Sequence, residues 1–173
     1  MSRDPLRRKL TVRAAGQTLV LVKRPEESGE HVLQKALLWT LYLPAYATLR
    51  VEQRLPWPSR YKPDLYALDA SGQQATFWGE CGTVGADKLR DVLRRYPATH
   101  FVFSKWAIRL DRFAAMVDDA LAGVRRTAPV ELIAFPVEAA DWVGQGGEPT
   151  IPRAELVARR WDGDGPGTAR RRG

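Results

Sequence analysis

The chain has 173 residues, 45% of them hydrophobic and 27% charged, which suits one folded domain with a single sizeable core rather than a disordered segment. It has no apolar run of about 18 residues to span a membrane and no apolar stretch behind the charged start "MSRDPLRRKL". Its one cysteine, Cys81, excludes an internal disulfide and a multi-cysteine zinc site.

A cytoplasmic location is the expectation. The net charge of +7 is concentrated at the ends. Residues 1–9 carry four Lys/Arg against one acid and residues 159–173 five against two, which leaves residues 10–158 near neutral. Three parts are therefore expected: a basic N-terminal segment over 1–9, one domain over 10–158, and a basic, flexible tail over 159–173. The tail's arginines can attract phosphates without reading sequence, or simply aid solubility.

In chain order, "KLTVRAAGQTLVLVKRP" (9–25) reads as a hairpin around Gly16, closed by Pro25. "EESGEHVLQKALLWTLYLP" (26–44) reads as a helix with Ser28 as N-cap, Glu26, Glu27 and Glu30 at its positive start, and Pro44 at its end. Leu33, Leu37 and Leu41 form its sheet-facing stripe, with Glu30 one turn before it and Gln34 on the same face. "TLRVEQRL" (48–55) alternates as a half-buried strand does. After the bend "PWPSRYKP", residues 62–82 read as a hairpin turning at Ala70, Ser71 and Gly72, with Gly72 in the left-handed position. Helices follow over 85–97 and 110–124, alternating with very apolar strands over 99–106 and 129–136. The remainder is poorly specified, with room for one short helix. Strands joined by tight turns, then strands separated by helices, give an α/β (α+β) class: a mixed central β-sheet flanked by helices, preceded by the N-terminal β-hairpin.

The 62–82 hairpin places one acid near each outer end, Asp64 and Glu80. A three-residue loop puts both on one face, where two carboxylates repel unless a cation, a basic partner or a shared proton separates them. Mg²⁺ (or Mn²⁺) suits two carboxylates with waters and a substrate phosphate. Lys88 lies at the edge of the buried face of the next helix, from where its stem can present the ammonium to the end of Glu80's strand. Glu30 faces the same way as a third acid. Each also has a plain structural reading: Asp64 as a turn former, Glu80 as an acid paired with Arg60 or Lys62, Lys88 as a solvated lysine beside Asp87 or Asp91, and Glu30 as a helix-start acid. Cys81 reads as a small buried side chain, His31 and His100 as ordinary surface or packing residues. Trp57 reads as core, or as lining a groove with Tyr61 and Arg60.

In order, "RPEESGEHVLQKALLWTLY", "KPDLYALD", "FWGECG" and "DKLRDVLRRY" resemble the YaeQ-like proteins, a branch of the PD-(D/E)XK nuclease-fold superfamily, over roughly residues 10–136. The resemblance implies a restriction-endonuclease-like core in which Pro63-Asp64 supplies the PD element and Glu80 the second acid. It further implies that the backbone carbonyl of Cys81 can bind metal and that Glu30 is the first-helix acid. The lysine of that pattern, two residues after the second acid, is absent, and Gly82 stands there. Lys88 is the first choice for its substitute and Arg90 the second, although arginine stays protonated and suits a phosphate clamp better than a base.

The leading expectation is a Mg²⁺-dependent nuclease acting on DNA or RNA, with Asp64, Glu80 and Lys88 catalytic and Arg60, Lys62 and Arg90 holding nucleic acid. The alternative is a degenerate relative that binds nucleic acid or a protein partner without chemistry, favoured by Gly82 and the near-neutral body. A third is a purely structural interaction module. No membrane association is expected, and the oligomeric state is not legible.

Overall fold

The computed structural model describes residues 9–164, so the segment before Lys9 and the tail beyond Asp164 lie outside the described residues. Strands β1 (Lys9–Ala14) and β2 (Gln17–Val22) form an antiparallel hairpin. Its two-residue turn sets Ala15 and Gly16 at φ 47° and 75°, the positive values that a tight turn between twisted strands requires. Helix α1 (Gly29–Tyr42) starts where expected, the Ser28 hydroxyl accepting the His31 amide at 3.1 Å. It buries Leu33, Leu37 and Leu41.

The strand expected over 48–55 shrinks to β3 (Arg50–Val51). Glu52 adopts φ 58°, which no continuing strand allows, and its carboxylate pairs with Lys35. The chain then changes sides. Leu49 packs in the core beneath α1, Leu55 in the core on the opposite face of the sheet.

Strands β4 (Leu65–Leu68) and β5 (Ala75–Cys81) form the hairpin expected over 62–82. Its loop has six residues, not three: the Asp69 carboxylate accepts from Ser71, Gln73 and Gln74 and shapes a longer turn, with Gly72 at φ 72°. A bulge interrupts the ladder. The register runs Leu65↔Gly79, Tyr66↔Trp78 and Ala67↔Phe77, then shifts to Leu68↔Ala75. The ladder ends at Leu65↔Gly79, and Asp64, one residue before β4, donates its backbone N–H to the Gly79 carbonyl at 3.2 Å.

Helix α2 (Ala86–Arg95), β6 (His100–Trp106), helix α3 (Asp111–Leu121) and β7 (Val130–Phe135) follow. The unassigned remainder holds two short 3₁₀ turns, Val137–Asp141 and Arg153–Glu155, and a strand the sequence reading missed, β8 (Val157–Trp161). Because β8 pairs antiparallel with β7, the folded body runs past residue 158, and Arg159 and Arg160 belong to the sheet rather than to a tail.

The six-stranded sheet is ordered β3-β4-β5-β6-β7-β8, with β5, β6 and β7 parallel and the flanking pairs antiparallel. One core lies between the sheet and α1 with the β1–β2 hairpin over it, including Val12, Leu21, Leu37 and Phe77. The other lies beneath α2 and α3, including Trp78, Leu89, Phe101, Phe103 and Val117. Burying each such large apolar side chain is worth about 1.5–3 kcal/mol, so the two packed faces hold the sheet between them. Among the described residues no helix is long and apolar enough to cross a membrane.

Candidate site at the strand ends

The end of β5 and the start of β4 meet at one edge of the sheet. Along β5, Phe77 and Cys81 pack toward α1 and Trp78 toward α2, so Glu80 falls on the α2 side. It is buried, and its Oε1 accepts the Trp78 indole N–H at 2.7 Å and lies 2.7 Å from the Lys88 ammonium. Lys88 sits in the first turn of α2, at the edge of the apolar face, as the helix spacing requires. Among the described residues Glu80 Oε2 accepts no hydrogen bond. Burial raises Glu80 above the ordinary glutamate range, and the charge of Asp64 adds to this against the opposing pull of Lys88 and Trp78.

Asp64 is one residue before β4, and its carboxylate turns toward α1. Oδ2 accepts the Cys81 backbone N–H at 2.8 Å, and Oδ1 lies 3.5 Å from His31 Nε2. Burial alone would raise Asp64, but its contacts with His31 and the Cys81 amide outweigh burial and hold it below the usual carboxylate range. The shared face expected of the two acids does not form: Asp64 turns toward α1 and Glu80 lies on the α2 side, each with its own partners, although the charge of Asp64 still bears on Glu80. Among the described residues no three His, Cys, Asp or Glu side chains gather closely enough to hold a metal ion.

The other expected residues fall as follows. Glu30 is exposed on α1 and is not oriented toward the sheet; the N-cap geometry instead turns Glu27 inward, onto Lys35 and within 3.5 Å of His31 Nε2. Cys81 is buried and burial pushes its thiol well up, which leaves its backbone as the part facing Asp64. Lys62 lines, with Asp64, His31 and Glu52, an open cavity of about 520 Å³. Arg60 stacks over the Tyr61 ring at 5.3 Å, and Lys88 approaches the same ring at 5.4 Å. Arg90 is exposed, 3.5 Å from Asp87, and does not reach Glu80's carboxylate.

Three groups escaped the sequence reading. His31, taken there for an ordinary residue, stands between the carboxylates of Glu27 and Asp64. Lys35 is buried between Glu27 and Glu52; burial lowers it, and the two acids more than reverse this. Lys105, on β6, is buried against the Phe113 ring at 3.8 Å and donates to the Gly82 carbonyl, with no carboxylate partner. Burial brings it down to about 8. The signal was a lysine inside an otherwise apolar run, "VLQKALLW" for Lys35 and "FVFSKW" for Lys105. Gln34, on the expected face, accepts the buried Ser104 hydroxyl at 2.8 Å, tying α1 to β6 beside the site. His100 is a packing residue, 2.7 Å from Glu131 and edge-on to Phe77.

No protein-family model and no curated protein matches the chain. Solved structures do. The YaeQ protein from Xanthomonas axonopodis pv. citri is similar with a TM-score of 0.51 and 18% identity, over 72% of this chain and 70% of that one. The YaeQ protein from Pseudomonas syringae is similar with a TM-score of 0.53 and 17% identity, over 79% of this chain and 74% of that one. The chain therefore shares the fold of the YaeQ structures: a mixed sheet with helices on both faces.

Proposed function

We propose that this protein is a metal-dependent phosphodiesterase acting on DNA or RNA at the edge where β4 and β5 meet. One observation supports the reading: at adjoining ends of β4 and β5, Asp64 accepts the Cys81 amide while the Lys88 ammonium lies 2.7 Å from Glu80. Two acids and a lysine at adjoining strand ends can hold a cation and a phosphate together.

The donor set fits Mg²⁺ or Mn²⁺ in its sparse form, one or two carboxylates with the rest of the shell water and substrate oxygen. Asp64, Glu80 through its Oε2, and the Cys81 carbonyl are the groups that would hold the ion. Such an ion supplies an acidified water and neutralises charge on the phosphate. The protein's own part is separate from it. Lys88 offers an ammonium to a phosphate oxygen once Glu80 is otherwise engaged, His31 fixes the orientation of Asp64, and the Cys81 amide holds Asp64 at the strand end.

Charge supports the choice of substrate. Residues 54–62 carry Arg54, Arg60 and Lys62 with no acid, and α2 carries four basic residues against two acids, with Lys88 placed against Glu80.

The test is incubation of the full chain with single- and double-stranded DNA and RNA, with Mg²⁺ or Mn²⁺ or with chelator. Metal-dependent cleavage lost in both Asp64→Asn and Glu80→Gln is the expected result; Glu80→Gln cutting as well as wild type would sink the reading. A second reading, nucleic-acid or protein binding without chemistry, is favoured by the separate partners of the two carboxylates. It predicts no cleavage under any metal and no calorimetric metal binding that depends on Asp64 and Glu80.

A further inference from the structure

The segment from Leu55 to Lys62 lies along α2, with Leu55, Trp57 and Tyr61 packed against the core on that face. Its two ends touch different ends of the helix. The Tyr61 ring is 5.4 Å from Lys88 Nζ in the first turn, and the Trp57 indole N–H donates to Tyr96 Oη at 3.4 Å at the C-cap. Eight residues of helix separate Lys88 from Tyr96, about 12 Å of rise. Beyond Tyr96 a second cavity opens, about 580 Å³, lined by Trp57, Tyr96, Gln73, Gln74 and Arg95 among others.

The composition of this cavity is specific. Trp57 and Tyr96 are both half-buried, each leaving part of a ring open. The Gln73 and Gln74 amide groups are exposed, and among the described residues neither side chain has a protein hydrogen-bond partner. Arg95 is a mostly exposed guanidinium at the mouth, 3.1 Å from Asp91. Flat rings, unengaged amides that both donate and accept, and a cation are what an unstacked nucleobase with its phosphate requires: stacking supplies affinity, amides read the base edge, the guanidinium takes the backbone.

We propose that this cavity is a binding pocket for one unpaired nucleobase of a single-stranded segment. The inference rests on the nucleic-acid reading above and deepens it. The 12 Å along α2 equals about three to four stacked nucleotides, fewer when the strand is drawn out. A strand with its base in the pocket therefore passes Arg60 and Tyr61 and brings a phosphate a few nucleotides away to Lys88 and Glu80. This favours single-stranded or frayed substrates over a closed duplex, because a paired base cannot enter.

The test is fluorescence anisotropy of the full chain in chelator with three probes: a labelled ten-nucleotide single strand, an abasic strand of equal length and charge, and a duplex. The expected result is that wild type binds the base-bearing strand about tenfold or more tighter than the abasic one. Trp57→Leu, which keeps apolar volume but cannot stack, should bind the two equally, and Trp57→Phe should recover part of the preference. Equal binding of base-bearing and abasic strands by wild type overturns the pocket, whatever the variants do, and so does an undiminished preference in a folded Trp57→Leu. Preferential binding without metal-dependent cleavage would keep the pocket while removing the catalytic reading, and cleavage without base preference would do the reverse. A probe panel in which no nucleic acid binds at all removes the pocket, while the catalytic reading is decided by the cleavage assay with metal.

Discussion

The His31 imidazole occupies the space in front of Gly82: its Nδ1 lies 3.5 Å from where a Cβ on residue 82 would stand. Gly82 itself has φ 83°, a conformation that side-chain-bearing residues rarely adopt. A lysine cannot be restored there cheaply. Gly82→Lys should lose about 1–2 kcal/mol to backbone strain, plus any displacement of His31 from Asp64, without raising activity. Urea denaturation measures the first and a cleavage assay the second; an active, equally stable Gly82→Lys protein would show that the edge has room for the extra side chain.

Glu80 gives a pH prediction with a definite sign. Its carboxyl is raised in the folded state, first by burial, so the folded protein keeps a proton that the unfolded chain releases. The stabilising contribution is complete below the ordinary value of 4.5 and is lost as pH rises through the raised one. Glu80→Gln keeps an oxygen for the Trp78 indole and has no charge to bury. It should match wild type at low pH and become the more stable protein as pH climbs toward neutral. Lys88→Met should do the opposite at neutral pH, costing about 1–3 kcal/mol, less than a sealed pair because Lys88 is partly solvated. Paired thermal melts across pH 4 to 8 would decide both.

What could be read in the sequence was whatever short-range pattern dictates. Ser28 and the leucine stripe fixed α1, the polar turn between two apolar arms marked β5, and short, very apolar runs marked β6 and β7. The proximity of Lys88 to Glu80 followed from helix geometry. What could not be read depended on backbone choices that no pattern announces. The bulge between Ala67 and Leu68 and the six-residue turn replace the three-residue loop expected, and Asp64 turns to the Cys81 amide and His31 rather than to Glu80. The positive φ of Glu52 ended β3 early. Strand β8, split by the domain boundary expected at 158, has mostly exposed side chains and is held by backbone pairing to β7, a tertiary fact. Glu27 rather than Glu30 turns inward: it precedes the non-helical N-cap Ser28, and its carboxylate reaches back to Lys35, whereas Glu30 is exposed in the first turn of α1.

Lys105 predicts behaviour at alkaline pH. Burial depresses it from 10.5 to about 8, so between these values the unfolded chain holds a proton that the folded protein does not. Stability relative to a neutral variant must therefore rise with pH across that window. The full difference is about 3 kcal/mol at most. Lys105→Met also strips the Gly82 carbonyl of its donor, but that loss of about 1 kcal/mol is the same at every pH. The difference between wild-type and variant unfolding free energies, followed from pH 7 to 10.5, should grow in favour of wild type; a flat difference would mean that Lys105 is solvated enough to titrate normally.

Arg126 is the strongest structural wager. It is buried in the loop after α3, and its guanidinium donates to the carbonyls of Leu93, Tyr96 and Thr99, joining the C-terminal end of α2 to the start of β6. Carbonyls at a helix end have no partners of their own and carry partial negative charge, so a cation there both satisfies and neutralises them. Burial brings Arg126 down to about 10, still charged at neutral pH, and its Nε has no partner. Arg126→Met would leave three carbonyls without their donor, two of those bonds being buried, at a cost of about 2–4 kcal/mol. Arg126→Lys should recover only part, since one ammonium cannot span carbonyls that the planar fork reaches together. Because Tyr96 is one of the three anchors, hydrogen exchange should also show the end of α2 opening in Arg126→Lys before the β5–β6 ladder does. Uniform loss of protection across the sheet would instead make Arg126 part of the global core rather than a local clamp on the Trp57–Tyr96 pocket.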